Sequence, residues 1–164
     1  MTEDAHQRRG AAQGRRGPPL RVRTAALLSQ IGRAQSSRFL DGLAPLGLRP
    51  KQFALLNHVA LEEGISQRRL GHRLGLEPSG LVGTIDDLEG RGLVERRADP
   101  DDRRRHALHL TAEGRGLLER GRGVAQRTAA DLLGALDDRE IAALYDLLAR
   151  IESDRAPGAV RRDP

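Results

Sequence analysis

A short stretch between residues 93 and 110 interrupts a sequence whose apolar residues otherwise recur at helical spacing. Within this stretch "LVER" and "HALHL" are short and β-compatible, and Leu108 and Leu110 alternate with polar neighbours. The segment 99–102, "DPDD", lies between them and has the composition of a turn. The sequence therefore predicts one β-hairpin, with residues 98–105 as its tip, in a chain that is mainly α-helical.

Four helices are predicted before the hairpin. The first covers residues 22–43, and the second begins at Pro50 and continues to Gly64. The third is capped by Ser66 and stopped by Gly75. For the fourth, residues 79–91, Ser79 is the expected N-cap and Gly92 the expected end.

Two long helices are predicted after the hairpin. Thr111 is the expected N-cap of the first, and "DDRE" at 137–140 is a capping-box arrangement at the start of the second. The apolar faces of these helices, and of the first helix, exceed what one small domain can cover. The pattern therefore predicts a homodimer.

The two short helices joined by "LGLEPS" have the proportions of a helix-turn-helix, and the hairpin makes it a winged helix-turn-helix. We expect a basic tail at 1–20 and a single domain at 21–154, followed by a flexible tail at 155–164. Within the domain, dimerisation helices are expected at about 22–46 and 112–154. The DNA-binding module is expected at about 50–111.

The position of the charge matters more than its total. The formal net charge is +5, but most of it lies in the two tails, so bulk basicity is weak evidence for a nucleic-acid partner. The chain has no cysteine, which excludes thiolate catalysis and thiol redox sensing. We expect no enzyme activity, cofactor, metal site, secretory signal or membrane span, and a cytoplasmic location.

The segment "LEGRGLVERRADPDDRRRHALHLTAEG" at 88–114 resembles the signature of the MarR (multiple antibiotic resistance regulator) family of bacterial transcription factors. The order of elements around it also fits, so the resemblance covers roughly residues 22–154. It implies a transcriptional regulator that binds double-stranded DNA, with helix 79–91 in the major groove and the wing 98–105 at the minor groove.

The wing contains three consecutive arginines after two acidic residues. The resemblance implies that Arg104 enters the minor groove, where negative potential is concentrated. Asp102 and Arg104 share one face of a strand, so the carboxylate can hold the guanidinium in one rotamer. Arg103 and Arg105 point the other way and could reach phosphates. On the charges alone, a solvated and self-neutralised loop is an equal alternative.

The recognition helix begins with small residues and departs from the family at three positions. Ser79, Gly80 and Thr84 resemble the family's polar contact residues. Val82 and Gly83 stand where relatives commonly have Thr and Arg, and Asp87 stands where a basic residue is frequent. These departures suggest more reliance on thymine methyls, backbone contacts and DNA shape. The alternative is that 79–84 only caps and packs.

Further contacts are expected on the preceding helix and in an effector site. At least one arginine among Arg68, Arg69 and Arg73 is expected to reach a phosphate. In similar proteins a small aromatic or phenolic effector binds between the helical dimer region and the DNA module and weakens DNA binding. The residues expected to line such a site are Ile31, Phe39, Phe53 and His58.

The sequence thus predicts a ligand-responsive homodimeric repressor of a pseudo-palindromic operator. Two other interpretations stay open. One is an unspecific architectural DNA-binding protein that uses its arginine-rich tails, and the other is a helical dimer that acts only through protein partners.

Overall fold

The computed structural model describes residues 17–98 and 106–155. The chain divides into two compact units, the first ending at Ser36 and the second beginning at Ser37. Within the two described ranges, no helix is both long enough and apolar enough to cross a membrane. Residues 1–16, 99–105 and 156–164, which make up most of the predicted wing tip and of both predicted tails, lie outside the described residues.

Six α-helices and three short strands are present in the described residues. In chain order they are α1 (Leu20–Leu43), α2 (Pro50–Leu61), β1 (Ile65–Ser66), α3 (Gln67–Leu74), α4 (Pro78–Gly90), β2 (Val94–Ala98), β3 (His106–Leu110), α5 (Ala112–Leu133) and α6 (Asp138–Arg155). A single 3₁₀ turn, Ala44–Leu46, follows α1. The predicted fold class, mainly helical with a small wing, is confirmed.

Local capping chemistry fixes several of the helix ends. The Ser66 hydroxyl accepts the Arg69 N–H at 3.3 Å, and the Thr111 hydroxyl accepts the Gly114 N–H at 3.0 Å. Gly75 ends α3 in the left-handed conformation, with φ +60°. The predicted caps of α3 and α5 are therefore confirmed.

The capping box predicted before α6 is also confirmed. The Asp137 carboxylate accepts the Glu140 N–H at 2.9 Å, while the Glu140 carboxylate accepts the Asp137 N–H at 2.9 Å. Two backbone donors at the start of the helix are satisfied by this reciprocal pair.

The hairpin belongs to a three-stranded antiparallel sheet with the order β1-β3-β2. Val94 pairs with Leu110 and Ala98 with His106, so β2 and β3 are paired over their whole length. Ile65 pairs with Leu108 and adds β1 on the other side of β3. The sequence did not predict β1, because a two-residue strand is too short to show an alternating pattern.

Several predicted helix ends were wrong by one to three residues, including the start of α1, which is Leu20. Two of them have a clear local cause. The fourth helix begins at Pro78 with Glu77 as its N-cap, one residue before the predicted cap at Ser79. Proline is pre-organised for the first helical position, and it keeps Glu77 in an extended conformation with ψ 142°. The second helix ends at Leu61, because the chain turns through Gly64, with φ +82°, into β1.

The core of the second unit lies where α2, α3, α4, α5 and the sheet meet. Leu55, Leu56 and Val59 of α2 are fully buried there. From α4, Ile85 and Leu88 are fully buried and Leu81 almost so. The outward face of α4 is left to solvent.

Candidate nucleic-acid interface

The helix pair α3–α4 is packed closely at one point. A Cβ on Gly71 would lie 3.0 Å from Leu81 Cδ2, so α3 approaches α4 at a residue without a side chain. Leu81, Ile85 and Leu88 face the core at spacings of four and three residues. This apolar stripe directs the opposite face of α4 outward.

The outward face of α4 carries small side chains. Ser79, Gly80 and Gly83 are exposed, and Val82 is 43% exposed. Thr84 is half-buried, and its hydroxyl donates to the Gly80 carbonyl oxygen at 2.8 Å. A face with so little bulk can come close to the floor of a major groove, where the valine methyl groups can contact thymine methyl groups.

The start of α2 lies beside the first turn of α4. The Lys51 ammonium donates to the Gly80 carbonyl oxygen at 3.3 Å. Arg49 and Lys51 border an open groove of about 350 Å³ whose other side includes Gly83 and Thr84. Sequence reasoning missed both cations. The available signal was that Lys51, the only lysine in the chain, follows the helix-starting Pro50.

The base of the wing is joined to α4 by ion pairs. Arg96 of β2 pairs with both Glu89 and Asp86, and its backbone N–H donates to Glu89 Oε1 at 3.3 Å. Arg96 is 21% exposed, so this contact is better shielded than a pair between surface side chains. The first wing strand and the recognition helix are therefore fixed to each other.

The predicted wing residues Asp102, Arg103, Arg104 and Arg105 lie outside the described residues. The β2–β3 ladder runs to its last pair at Ala98 and His106, so residues 99–105 connect the ends of two paired strands. Their roles in DNA binding stay predictions.

The arginines of α3 differ in their surroundings. Arg69 and Arg73 both pair with Glu62, at 2.9 and 2.8 Å. Arg68 is exposed and makes no ion pair within the residues described. Of the three, Arg68 is therefore the best placed to pair with a phosphate, and this contact stays a prediction.

The residues predicted to line an effector site are distributed over both units. Phe39 and Phe53 form an edge-to-face pair with their centroids 5.4 Å apart. His58 is half-buried, and its Nδ1 donates to the Ala54 carbonyl oxygen at 2.9 Å. Ile31 belongs to the first unit and is 44% exposed. Their contact with an effector stays a prediction.

Comparisons with known proteins agree with this architecture. The MarR family model matches residues 46–105, which include α2, α3, α4 and β2. A protein of Thauera aromatica, assigned as a transcriptional regulatory protein for the hcr operon, is 32% identical over 117 residues, which are 70% of each chain.

Two solved structures of the repressor CouR are also similar. One, bound to a 23-mer DNA duplex, is 34% identical with a TM-score of 0.70, covering 78% of this chain and 91% of that one. The other, from Rhodococcus jostii RHA1 and bound to p-coumaroyl-CoA, is 32% identical with a TM-score of 0.71. It covers 82% of this chain and 95% of that one. With this winged helix-turn-helix and these relatives, the chain belongs to the MarR family and is a DNA-binding transcriptional regulator.

Proposed function

We propose that the chain is a homodimeric repressor that binds a pseudo-palindromic operator in the cytoplasm and is released by a small aromatic effector. It acts by binding and not by catalysis. The observation that carries this proposal is the exposed small-residue face of α4, held beside the base of a wing by Arg96. A helix and a wing fixed in this way can enter two neighbouring grooves of one duplex.

The dimer is supported by the exposed side chains of α6. No residue from Asp138 to Asp154 is buried, although the helix carries apolar residues at helical spacing. Tyr145 is 71% exposed and Ile151 50%. An exposed apolar face of this kind marks an interaction site, and a second copy of the chain would cover it.

An aromatic effector is supported by two observations. Phe39 and Phe53 form an aromatic pair that is only partly buried against the core. The related CouR has been solved with p-coumaroyl-CoA, a thioester of an aromatic acid. We therefore expect an aromatic acid or its thioester to bind this chain and to lower its affinity for operator DNA.

The test begins with the full-length chain and a randomised duplex library. Duplexes retained by the protein are sequenced, and the affinity of one selected duplex is compared with that of its scrambled version at two salt concentrations. We expect the selected duplex to bind at least about 10³-fold more tightly. Both affinities should fall with salt, by a log–log slope of about −0.9 per phosphate neutralised. Equal affinity for the two duplexes would contradict an operator-binding function.

The two remaining interpretations predict different results in the same assay. An architectural protein that binds through its tails should lose DNA binding when residues 1–20 are deleted, whereas we expect only a modest weakening. A dimer that acts only through protein partners should show no salt-dependent DNA binding. Adding p-coumaroyl-CoA or a free aromatic acid to the bound duplex then tests release by an effector.

A further inference from the structure

Gln52 is the only residue with a buried polar side chain in the part of the chain that the structure describes, and it is 4% exposed. Both ends of its amide are used. Oε1 accepts the Arg49 N–H at 2.8 Å, and Nε2 donates to the Asp87 carboxylate at 2.5 Å. The first turn of α2 is therefore hydrogen-bonded to the last turn of α4, 35 residues further along the chain.

This contact accounts for an acidic residue on a helix that is expected to face DNA. The Asp87 side chain is 43% exposed, and Arg91 lies one turn further on with Nη1 at 3.7 Å. Its carboxylate accepts the Gln52 amide N–H, and a hydrogen bond to an ionised acceptor is stronger than one between neutral groups. The Asp87 carboxylate is thus hydrogen-bonded to α2.

The hydrogen bond between Gln52 and Asp87 is directional, whereas the apolar packing of α4 is not. Leu81, Ile85 and Leu88 hold α4 on the core, but apolar attraction is not directional and allows small rotations about the helix axis. A hydrogen bond between two defined atoms restricts that rotation. Rotation of α4 changes which of its small side chains face the bases.

We infer that Gln52 and Asp87 are positioning residues that set the orientation of the recognition helix and so determine its selectivity for DNA sequence. The inference rests on the proposed operator-binding function. Gly83 lies inside the helix and weakens it relative to alanine, so contacts from neighbouring elements contribute to the order of α4. Order established before DNA binds reduces the entropy lost on docking.

Gln52→Glu, alone and combined with Asp87→Asn, keeps the shape of the side chains and tests whether Gln52 orients α4 or only caps the start of α2. Gln52→Glu keeps an oxygen that accepts the Arg49 N–H, but it places a carboxylate against Asp87. Adding Asp87→Asn restores the hydrogen bond with donor and acceptor exchanged, because the asparagine amide now donates to the glutamate. The double variant also has the net charge of the parent.

A second comparison leaves Gln52 unchanged. Asp87→Asn removes the charge but keeps an oxygen for the Gln52 amide, whereas Asp87→Leu removes both in a similar volume. Glu77→Gln is the matched control for charge, because Glu77 is exposed at the start of α4 and makes no side-chain capping bond.

The quantity measured is the ratio of affinities for the selected duplex and its scrambled version, with the circular dichroism of each variant as the check of folding. Gln52→Glu and Asp87→Leu should lower this ratio by about tenfold or more, the cost of about one wrong base pair. The double variant, Asp87→Asn and Glu77→Gln should stay within about twofold of the parent.

The inference is overturned if Gln52→Glu and Asp87→Leu keep the parental ratio, or if the folded double variant loses it as fully as the single one. If Gln52→Glu does not fold, the comparison of Asp87→Leu with Asp87→Asn decides alone. A parent chain that discriminates no duplex overturns the proposed function and this inference together. If the parent prefers the selected duplex and the Gln52→Glu and Asp87→Leu variants keep the same preference, only the inference is overturned.

Discussion

Gly114 lies at the closest backbone approach among the glycines described, and replacing it with alanine should damage the fold. An added Cβ would lie 1.9 Å from the Leu93 carbonyl oxygen, whereas real Cβ atoms essentially never come within 3.0 Å of such an atom. The start of α5 and the turn before β2 would have to separate by more than about 1 Å. The clash involves backbone and cannot be relieved by turning a flexible side chain.

The separation would also strain two hydrogen bonds of Thr111. Its N–H donates to the Leu93 carbonyl oxygen at 3.2 Å, and its hydroxyl donates to the Gly92 carbonyl oxygen at 2.7 Å. Overpacking costs about 1–3 kcal/mol, and one lost hydrogen bond adds about 1 kcal/mol. We therefore expect Gly114→Ala to lower the free energy of unfolding by about 2–4 kcal/mol. The Tm should fall by roughly 10 °C, at about 2–4 °C per kcal/mol.

Gly116→Ala, two residues further along the same helix, is the matched control. Nothing lies within 4 Å of a Cβ built on Gly116, which is exposed. Alanine there should stabilise the helix by about 0.5–1 kcal/mol. Thermal and urea unfolding, followed by circular dichroism at one protein concentration, measures both variants. A Gly114→Ala variant as stable as Gly116→Ala would refute the close approach on which the argument depends.

Four other changes test the DNA-binding surface and the dimer. Lys51→Gln should weaken binding to every duplex alike and make the log–log salt slope shallower by about 0.9, and an unchanged slope would contradict a phosphate contact. Arg104→Ala should lower the free energy of DNA binding by about 1–3 kcal/mol, mainly on sites with a narrow minor groove, and equal affinity of variant and parent would contradict entry of Arg104 into that groove. Asp102→Ala should weaken DNA binding although it removes a negative charge, and tighter binding would disprove the orienting role. Leu148→Glu, at a side chain that is 40% exposed, should shift sedimentation towards the monomer, whereas an unchanged dimer would place the interface elsewhere.

The features that could be predicted from the sequence are those determined over a few residues. Ser66 and Thr111 each cap a helix through a donor three residues away, and Gly75 stops α3 by its own backbone conformation. The alternation of Leu108 and Leu110 in the wing strand is equally local. Each of these signals is complete within one segment, so it does not depend on how the segments pack.

The features that could not be predicted depend on partners chosen by packing. Asp87 stands where relatives often have a basic residue, and the sequence does not indicate its partner, because Gln52, which binds it, lies 35 positions away. In the same way, Glu62 forms ion pairs with Arg69 and Arg73. The spacing of the arginines on α3 does not indicate these pairs. A sequence pattern gives the residues available for an ion pair, and the tertiary fold selects among them.

The charge of α4 implies that affinity and selectivity come from different parts of this surface. The helix contains three acidic residues, Asp86, Asp87 and Glu89, and no basic one, so its side chains do not attract a phosphate backbone. All three acids are bound to neighbouring elements, through Arg96 on one side and Gln52 on the other. We therefore expect most of the attraction to DNA to come from cations around the helix, with Lys51 and the wing arginines as the candidates, because lysine and arginine contacts to phosphates release counterions. Removing a cation should therefore weaken binding to all duplexes equally. Removing a contact that orients α4, from Gln52 or Arg96, should change which duplex is preferred.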